Sequence, residues 1–427
     1  MRILWIGHNL AYPPKGGPLQ RNYNLLREAA RKCEVHVLAF DQPATRPANL
    51  TPQDCVHGLR SFCSGVDWVP LSEGGKRYWL ALRGLASTDP FEFHWLKSRS
   101  MKDKLQKLLQ RSHFDVVHFD TLGLAQYWHL VRNSGTVLNH HDVQSSLIAR
   151  RATIESHFLR RQYWKLEAKK LRRAEQKWCP RFGVNIAVSR EDERMLIESG
   201  PRIKSWVVPN GVDTDYFTPR PDPGGRTLLF CGSLDMYPSI DAMNYFFNAI
   251  WPRLISRHQN IEVCVVGRKP PIWLTRLSAT DHRIHVPGFV DDVRPYYRKA
   301  TALVCPIRDG GGTRLKILDS LAMGVPVIGT SFASSGLYLE HEKHLLSADT
   351  PDDFVRSVEQ VLSNKALRER LSTAGIEIVN RHYSWNVIGQ SLLEAYDAAK
   401  RAHNEPSTTK VNPNPHITQA PRHLDSV

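Results

Sequence analysis

Short apolar runs alternate with longer amphipathic stretches along most of the chain. Ile3 to Ile6 is the first run, Pro13-Pro14-Lys15-Gly16-Gly17-Pro18 a turn-rich loop, Gln20 to Lys32 an amphipathic stretch, and Val35 to Phe40 a second run. Apolar runs without polar alternation, bounded by turn residues, predict parallel strands buried on both faces. Further strands are predicted at Val66 to Leu71, Asp115 to Asp120, Thr136 to Asp142 and Gly183 to Val188, with helices at Lys97 to Gln110 and Glu191 to Ser199. Pro219 to Gly225 reads as a link. A second alternation then begins, with strands at Thr227 to Cys231, Ile261 to Val266, His285 to Val290, Thr301 to Cys305 and Val325 to Ile328. Its helices are predicted at Ser239 to His258, Val293 to Lys299, Asp352 to Leu362, Lys365 to Arg381 and Trp385 to Arg401. The rhythm predicts two doubly wound α/β domains facing each other across a cleft.

Composition changes this picture little. At 427 residues, 41% hydrophobic and 23% charged, the chain has room for two full cores. No stretch approaches the roughly 20 apolar residues that span a bilayer. The start reads as a first strand rather than a signal peptide. Seven scattered cysteines without a CxxC pair argue against a disulfide framework or a zinc site and suggest a reducing cytoplasm. Residues 404–427, polar and proline-rich, read as a disordered tail. The net charge of +15 is uneven: Arg150 to Lys177 holds ten Lys or Arg against three Glu, about half of the surplus. Without Gly or Pro, that segment reads as one long basic helix. A solvated face explains it as well as an anionic membrane does, and no nucleic-acid-binding module accompanies the charge. The aromatic residues Tyr78, Trp79, Phe91, Phe93 and Trp95 suggest either core packing, the expected role for most, or a lipid- or acceptor-facing surface.

The stretch from Pro306 to Ile328 carries the chemistry. Three glycines, Gly310 to Gly312, follow a strand and let the backbone approach a ligand. Thr313 is the expected N-cap of a helix in which Leu315, Ile317, Leu318, Leu321 and Ala322 face a sheet. Arg314 and Lys316 then fall in the first turn, where free N–H groups make cations unfavourable by about 0.3–1 kcal/mol. A bound anion reverses that sign. Asp319, one turn on from Lys316, adds an acceptor for a vicinal diol, and a diphosphate beside a ribose suits the set; the plain alternative is a glycine-rich surface loop with an i, i+3 ion pair. The strands ending at Asp120 and Asp142 each finish in His and Asp at a carboxyl end, which predicts a polar cleft, with no spacing that supports a metal.

Taken together, Gly16-Gly17, Val188-Ser189-Arg190, Val207-Val208-Pro209-Asn210-Gly211-Val212-Asp213, Phe230-Cys231-Gly232-Ser233-Leu234, Pro287-Gly288-Phe289-Val290, the 306–328 stretch and His382-Tyr383-Ser384-Trp385 resemble the family 4 (group 1) retaining glycosyltransferases, in the subgroup of exopolysaccharide and cell-envelope sugar transferases. The resemblance implies a GT-B fold: a first Rossmann-like domain at 1–208 for the acceptor, a second at 209–385 for the donor, and a helix at 386–403 crossing back to the first. It implies a nucleotide-diphospho-sugar donor and a glycan or lipid-linked acceptor, with no cofactor, no metal and no nucleic acid. The location implied is cytoplasmic, peripheral on the membrane through residues 150–177. Gly16 and Gly17 would approach the diphosphate or the sugar, and His141 matches the family's histidine near the reacting sugar. Phe289 and Val290 would offer backbone groups to the base, and Asp319 stands where a glutamate usually grips the ribose. Asn210, Gly232, Ser233, Gly311, Gly312 and Thr313 complete the expected donor site.

The departures are specific. The family's first carboxylate would fall on Gly311, and cations expected after the second domain's first strand fall on Ser233 and Pro238. Arg314 and Lys316 are then the expected replacement clamp, stabilising a diphosphate leaving group while an oxocarbenium-like hexose passes to a hydroxyl. The alternatives are a nucleotide-sugar epimerase of the same fold and a non-catalytic basic anion- or nucleic-acid-binding relative.

Overall fold

The computed structural model describes residues 1–14, 16–47, 49–71, 80, 84–200 and 202–405. Tyr78, Trp79 and nearly all of the expected tail lie outside them. Seven parallel strands form the first sheet: β1 (Arg2–Gly7), β2 (Glu34–Asp41), β3 (Gly65–Pro70), β4 (Val116–Phe119), β5 (Gly135–Asn139), β6 (Val184–Ala187) and β7 (Ser205–Val207). Their order is β3-β2-β1-β4-β5-β6-β7. Six more form the second sheet: β8 (Thr227–Cys231), β9 (Glu262–Val266), β10 (Ile284–Gly288), β11 (Ala302–Cys305), β12 (Val327–Gly329) and β13 (Leu346–Ser347). Their order is β10-β9-β8-β11-β12-β13. In each sheet the winding reverses once, between β1 and β4 and between β8 and β11. At such a reversal the loops leaving the two strands diverge and open a crevice at their carboxyl ends.

The period of two along β1 shows why its residues are apolar throughout. Leu4 and Ile6 join one core with Leu38, Phe119 and Leu138. Ile3 and Trp5 join the opposite one with Val35, Val37, Val116 and Val137. That second face is closed by the last helix, Trp385–Asn404, whose Trp385, Ile388, Leu392 and Tyr396 are buried there. Each such side chain contributes about 1.5–3 kcal/mol, so the chain's end is firmly docked on the first sheet. Gly135 permits the approach, because a Cβ there would lie 2.7 Å from the Ala399 carbonyl carbon. The second sheet has its own continuous core, from Val212 to Tyr383.

The chain crosses between the two cores twice, side by side. Val212 N–H donates to the Tyr383 carbonyl at 2.8 Å, and a Cβ on Gly211 would meet the Trp385 ring at 2.8 Å. Val212 and Phe217 already belong to the second core, so the Pro/Gly-rich 219–225 stretch lies inside the second unit rather than linking the two.

Two helix expectations need correction. Arg150 to Lys177 is not one helix but parts of two, Gln144–Ile154 and Phe158–Trp178, paired as a hairpin. The reversal is built without Gly or Pro: Glu155 is extended, its carboxylate accepts from His157 N–H, and its carbonyl accepts from Arg161. The 239–258 helix begins at Tyr237 and is interrupted by a wide π-helical turn at Phe246–Ile250, just before Pro252. Proline lacks the N–H an α-helix needs there and collides with the carbonyl four residues back, and the wider turn accommodates it. Phe93 is buried, as expected for core packing.

Candidate active site

The first crevice gathers polar groups around one carboxylate. Asp120 follows β4 directly, and its N–H is held by the Ile6 carbonyl of β1 at 3.0 Å. Its Oδ2 accepts from His8 Nδ1 at 2.5 Å and Asn22 Nδ2 at 2.7 Å; its Oδ1 accepts from His141 Nε2 at 3.0 Å and Asn139 Nδ2 at 3.3 Å. Burial by itself would raise this carboxyl, yet the two imidazoles hold it well below the usual carboxylate range. His8 is likewise lowered by burial but raised overall, because Asp120 stabilises its cation. With Nε2 donated to Asp120, His141 keeps Nδ1 as its remaining ring nitrogen. His8, Asp120 and His141 have the ligand types and spacing to hold a metal ion. All four acceptor positions of Asp120 are already engaged by N–H groups, so the cluster reads as a hydrogen-bonded clamp on two imidazoles.

Of the two His/Asp strand ends, only part reaches the crevice. His118 is stacked on Trp5 and bonded to the Tyr396 hydroxyl, and burial lowers it to about 3. His140 meets Asn185 at 3.2 Å and is lowered by burial to about 4. Both are neutral structural residues. The sequence reading missed His8, Asn22 and Arg21. The available signal lay in the first helix, Gly17–Ala30, where Arg21, Asn22, Asn24 and Glu28 are buried alongside Leu25, Leu26 and Ala29. Polar residues on a buried stripe require partners.

Arg21 supplies the link to the second crevice. Its guanidinium donates to the Val208 carbonyl at 2.7 Å, the Pro209 carbonyl at 2.8 Å, Asn210 Oδ1 at 3.0 Å and Asn139 Oδ1 at 3.4 Å. Burial lowers it to about 10, which leaves it charged at neutral pH. Asn210 Nδ2 then donates to Thr313 Oγ1 at 2.5 Å. A chain of side-chain hydrogen bonds thus runs from Asp120 through Asn139, Arg21 and Asn210 to the glycine loop of the other domain.

That loop differs from expectation in its cap. Thr313 is taken by Asn210, and the helix starts at Leu315 with Arg314 in the N-cap position and no side-chain cap. Arg314 turns back on the loop, donating to the carbonyls of Gly310 at 3.2 Å, Gly311 at 2.5 Å and Gly312. In this structure it braces the turn, with its Nε buried and unpaired. Gly310 and Gly312 have φ of +126° and +67°, which side chains rarely tolerate. Lys316 reaches the end of β8: its Nζ lies 4.2 Å from the Phe230 ring centre, and a Cβ on Gly232 would stand 2.6 Å from it. Burial lowers its pKa, and among the described residues it has a ring face but no hydrogen-bond acceptor. Asp319 is half-buried with its Oδ1 enclosed and unpaired, and desolvation raises it to about 8, with Lys316 opposing the shift.

The remaining expected residues sit along the same rims. Ser233 follows Gly232 after β8. Phe289 and Val290 follow β10 at the edge of the second sheet, Phe289 59% exposed next to Gly288 at φ +79°. Gly16 caps the helix Gly17–Ala30 at φ +98°, and among the described residues a Cβ on Gly16 or Gly17 would meet nothing within 4 Å, so that backbone is open to approach. The domains meet where Asp142, one residue beyond His141, faces Gly311 and Gly312.

Two family models match the chain. Residues 15–216 match Glycosyltransferase Family 4 and residues 225–364 match Glycosyl transferases group 1. The chain belongs to the group 1, family 4 glycosyltransferases. Among curated relatives it is similar to a phosphatidyl-myo-inositol mannosyltransferase of Mycolicibacterium smegmatis, 26% identical over 206 residues, 46% of this chain and 52% of that protein. It is also similar to a GDP-mannose-dependent alpha-(1-6)-phosphatidylinositol monomannoside mannosyltransferase of Mycobacterium tuberculosis, 26% identical over 243 residues, 51% of this chain and 63% of that one. The matches therefore span between half and two thirds of these relatives. In three dimensions this glycosyltransferase resembles Anabaena HepE, solved in complex with UDP, with a TM-score of 0.65 at 14% identity, covering 93% of this chain and 100% of that one. The fold is GT-B.

Proposed function

We propose that this protein transfers a hexose, with retention, from a nucleotide-diphospho-sugar to a hydroxyl acceptor in envelope or exopolysaccharide synthesis. The observation that carries the reading is the meeting of the two crevices. The His141–Asp142 end of one domain abuts the Gly310–Gly312 loop of the other, with Lys316 beneath that loop short of an acceptor. A half-buried cation that faces a ring beside the N-terminus of a helix is arranged for an anion. The diphosphate is the natural ligand, with Lys316, the helix amides and, on rotation from its loop carbonyls, Arg314 stabilising its departure without a metal. Asp319 accepts from the ribose diol, Phe289 and Val290 border the base, and Gly16-Gly17 let the backbone of the first domain approach. His141 faces the reacting sugar with its orientation fixed by Asp120. The departing phosphate oxygen takes the acceptor's proton, so no carboxylate acts as nucleophile.

A lipid-linked acceptor at an anionic membrane fits the basic hairpin. Ile154, Phe158 and Leu159 are 43%, 66% and 70% exposed at its bend, flanked by Arg150, Arg151, Arg160, Arg161 and Lys165. Apolar side chains ringed by cations are the pattern of an interfacial anchor. The mycobacterial relatives, whose names place phosphatidylinositol among their substrates, support that choice. Among the described residues no helix is long and apolar enough to cross a membrane.

The test is a thermal-shift screen of UDP-, GDP- and dTDP-sugars, followed by NMR of the product formed with a hydroxyl acceptor. One donor should raise the melting point and give acceptor-dependent nucleotide release with the donor's anomeric configuration kept. Release without acceptor dependence, or an inverted product, would count against it. Sedimentation with phosphatidylglycerol vesicles should be lost in Phe158→Asp/Leu159→Asp and in high salt; equal binding by the variant would remove the membrane part.

A further inference from the structure

Asp142 is used by nothing described so far. It lies three residues beyond the end of β5 at Asn139 and stands outside the Asp120 clamp. Its Oδ1 is buried and has no hydrogen-bond partner. A Cβ on Gly311 would lie 2.6 Å from that oxygen, and one on Gly312 would lie 3.1 Å from it. Any side chain at 311 would therefore occupy the space this carboxylate enters. The charged groups that bear on it are Asp192 on its own domain, Arg150 in the hairpin, Arg21 in the first helix and Arg314 across the interface. Burial, reinforced by Asp192, raises it to about 7 despite the three arginines.

We propose that Asp142 is the acceptor for a hydroxyl of the transferred sugar, a carboxylate supplied to the donor loop from the opposite domain. The inference rests on the transferase reading and gives that reading its sugar contact. A buried oxygen left without a donor is destabilising, so a ligand that donates to it is the natural partner. Among the described residues the one cluster with metal-ligand spacing is His8, Asp120 and His141, which excludes Asp142. A cation would also meet Arg314 and Arg150 nearby. A neutral O–H donor fits, and a hexose flanked by His141 and the glycine loop presents several. Because the oxygen and the glycines come from different domains, the contact forms when the domains meet, and it coordinates sugar recognition with closure of the crevice.

The experiment measures binding of a nucleotide-sugar and of its parent nucleoside diphosphate by calorimetry, for the wild type, Asp142→Asn and Asp142→Ala. For whichever of UDP-glucose, UDP-N-acetylglucosamine and GDP-mannose binds, Asp142→Ala should weaken the nucleotide-sugar about ten- to a hundredfold, the range of a lost hydrogen bond to a charged group. Asp142→Asn should fall between. The parent diphosphate should bind all three within about twofold, which also reports that each variant is folded. Deoxy analogues of the sugar extend the test: deleting the contacted hydroxyl should weaken binding to the wild type and leave Asp142→Ala unaffected. Equal losses for sugar-bearing and sugar-free ligands, or no loss, would overturn the assignment. If the wild type binds none of the diphosphates or nucleotide-sugars, the transferase reading itself falls and takes this assignment with it.

Discussion

The two crevices share one topology and differ in how completely their central charged groups are satisfied. At the first, four N–H groups converge on Asp120 and fill its acceptor positions, although Asn22 Oδ1 and Arg21 Nε beside it are buried without a partner. At the second, Lys316 faces a ring, Asp319 keeps an unpaired oxygen, and Arg314 holds loop carbonyls. A buried charge whose hydrogen-bonding positions are all filled is held rigidly, whereas one left short of partners costs stability. The first crevice is thus a rigid mould that orients His141. The second is left short of partners, which on the proposed function a charged ligand supplies. The two should respond oppositely to substitution, in stability and in turnover.

The sharpest way to break this contrast is Asp120→Ala. Removing the shared acceptor strands His8, His141, Asn22 and Asn139, and denaturant unfolding should register a loss of about 3–5 kcal/mol, with activity lost as well. A loss under about 1 kcal/mol would mean the clamp is ornamental. Lys316→Met should do the reverse: an apolar side chain of similar length suits the buried ring face, so melting temperature holds or rises. Turnover should nonetheless fall about 10²–10³-fold, the scale of removing one transition-state donor. A parallel fall in stability and turnover would erase the distinction. Arg314→Ala belongs between the two. Losing the brace across Gly310 to Gly312 should cost about 1.5–3 kcal/mol, the range for hydrogen bonds to charged groups, and the gap should widen when nucleotide is bound, because the variant also loses a cation for the diphosphate.

The smallest effect is a pH signature. Asp319 is raised in the fold to about 8 from a usual 3.8. The folded state therefore keeps a proton that the unfolded chain has released, and this group's contribution to stability declines as pH climbs from about 4 to about 8. The melting temperature of Asp319→Asn relative to the wild type should accordingly be near parity at pH 4 and higher by a few degrees above pH 8. A difference that does not vary with pH would show the carboxyl to be ionised throughout.

Much of this was legible in the sequence where the cause was local. Unbroken apolar runs marked the strands because both sheet faces are buried, and the glycines at 310–312 announced a loop whose backbone turns left-handed at Gly310 and Gly312. His141 and Asp120 stood out at strand ends. What escaped notice depends on distant partners. His8 gains meaning only from Asp120, 112 residues away, and Arg21 only from residues 208–210. Thr313 has the look of an N-cap until Asn210 claims its hydroxyl. The hairpin at Glu155–His157 and the π turn before Pro252 escaped for another reason: one bend forms without a breaker residue, and one helix continues through a proline.

Calorimetric titration of the donor's nucleoside diphosphate into the wild type and Lys316→Met addresses the central claim most directly. A cation set aside for a diphosphate predicts saturable binding to the wild type, weakened at least about tenfold in the variant and more sharply at low salt. Equal affinity in the two proteins, or binding that does not respond to salt, would contradict it.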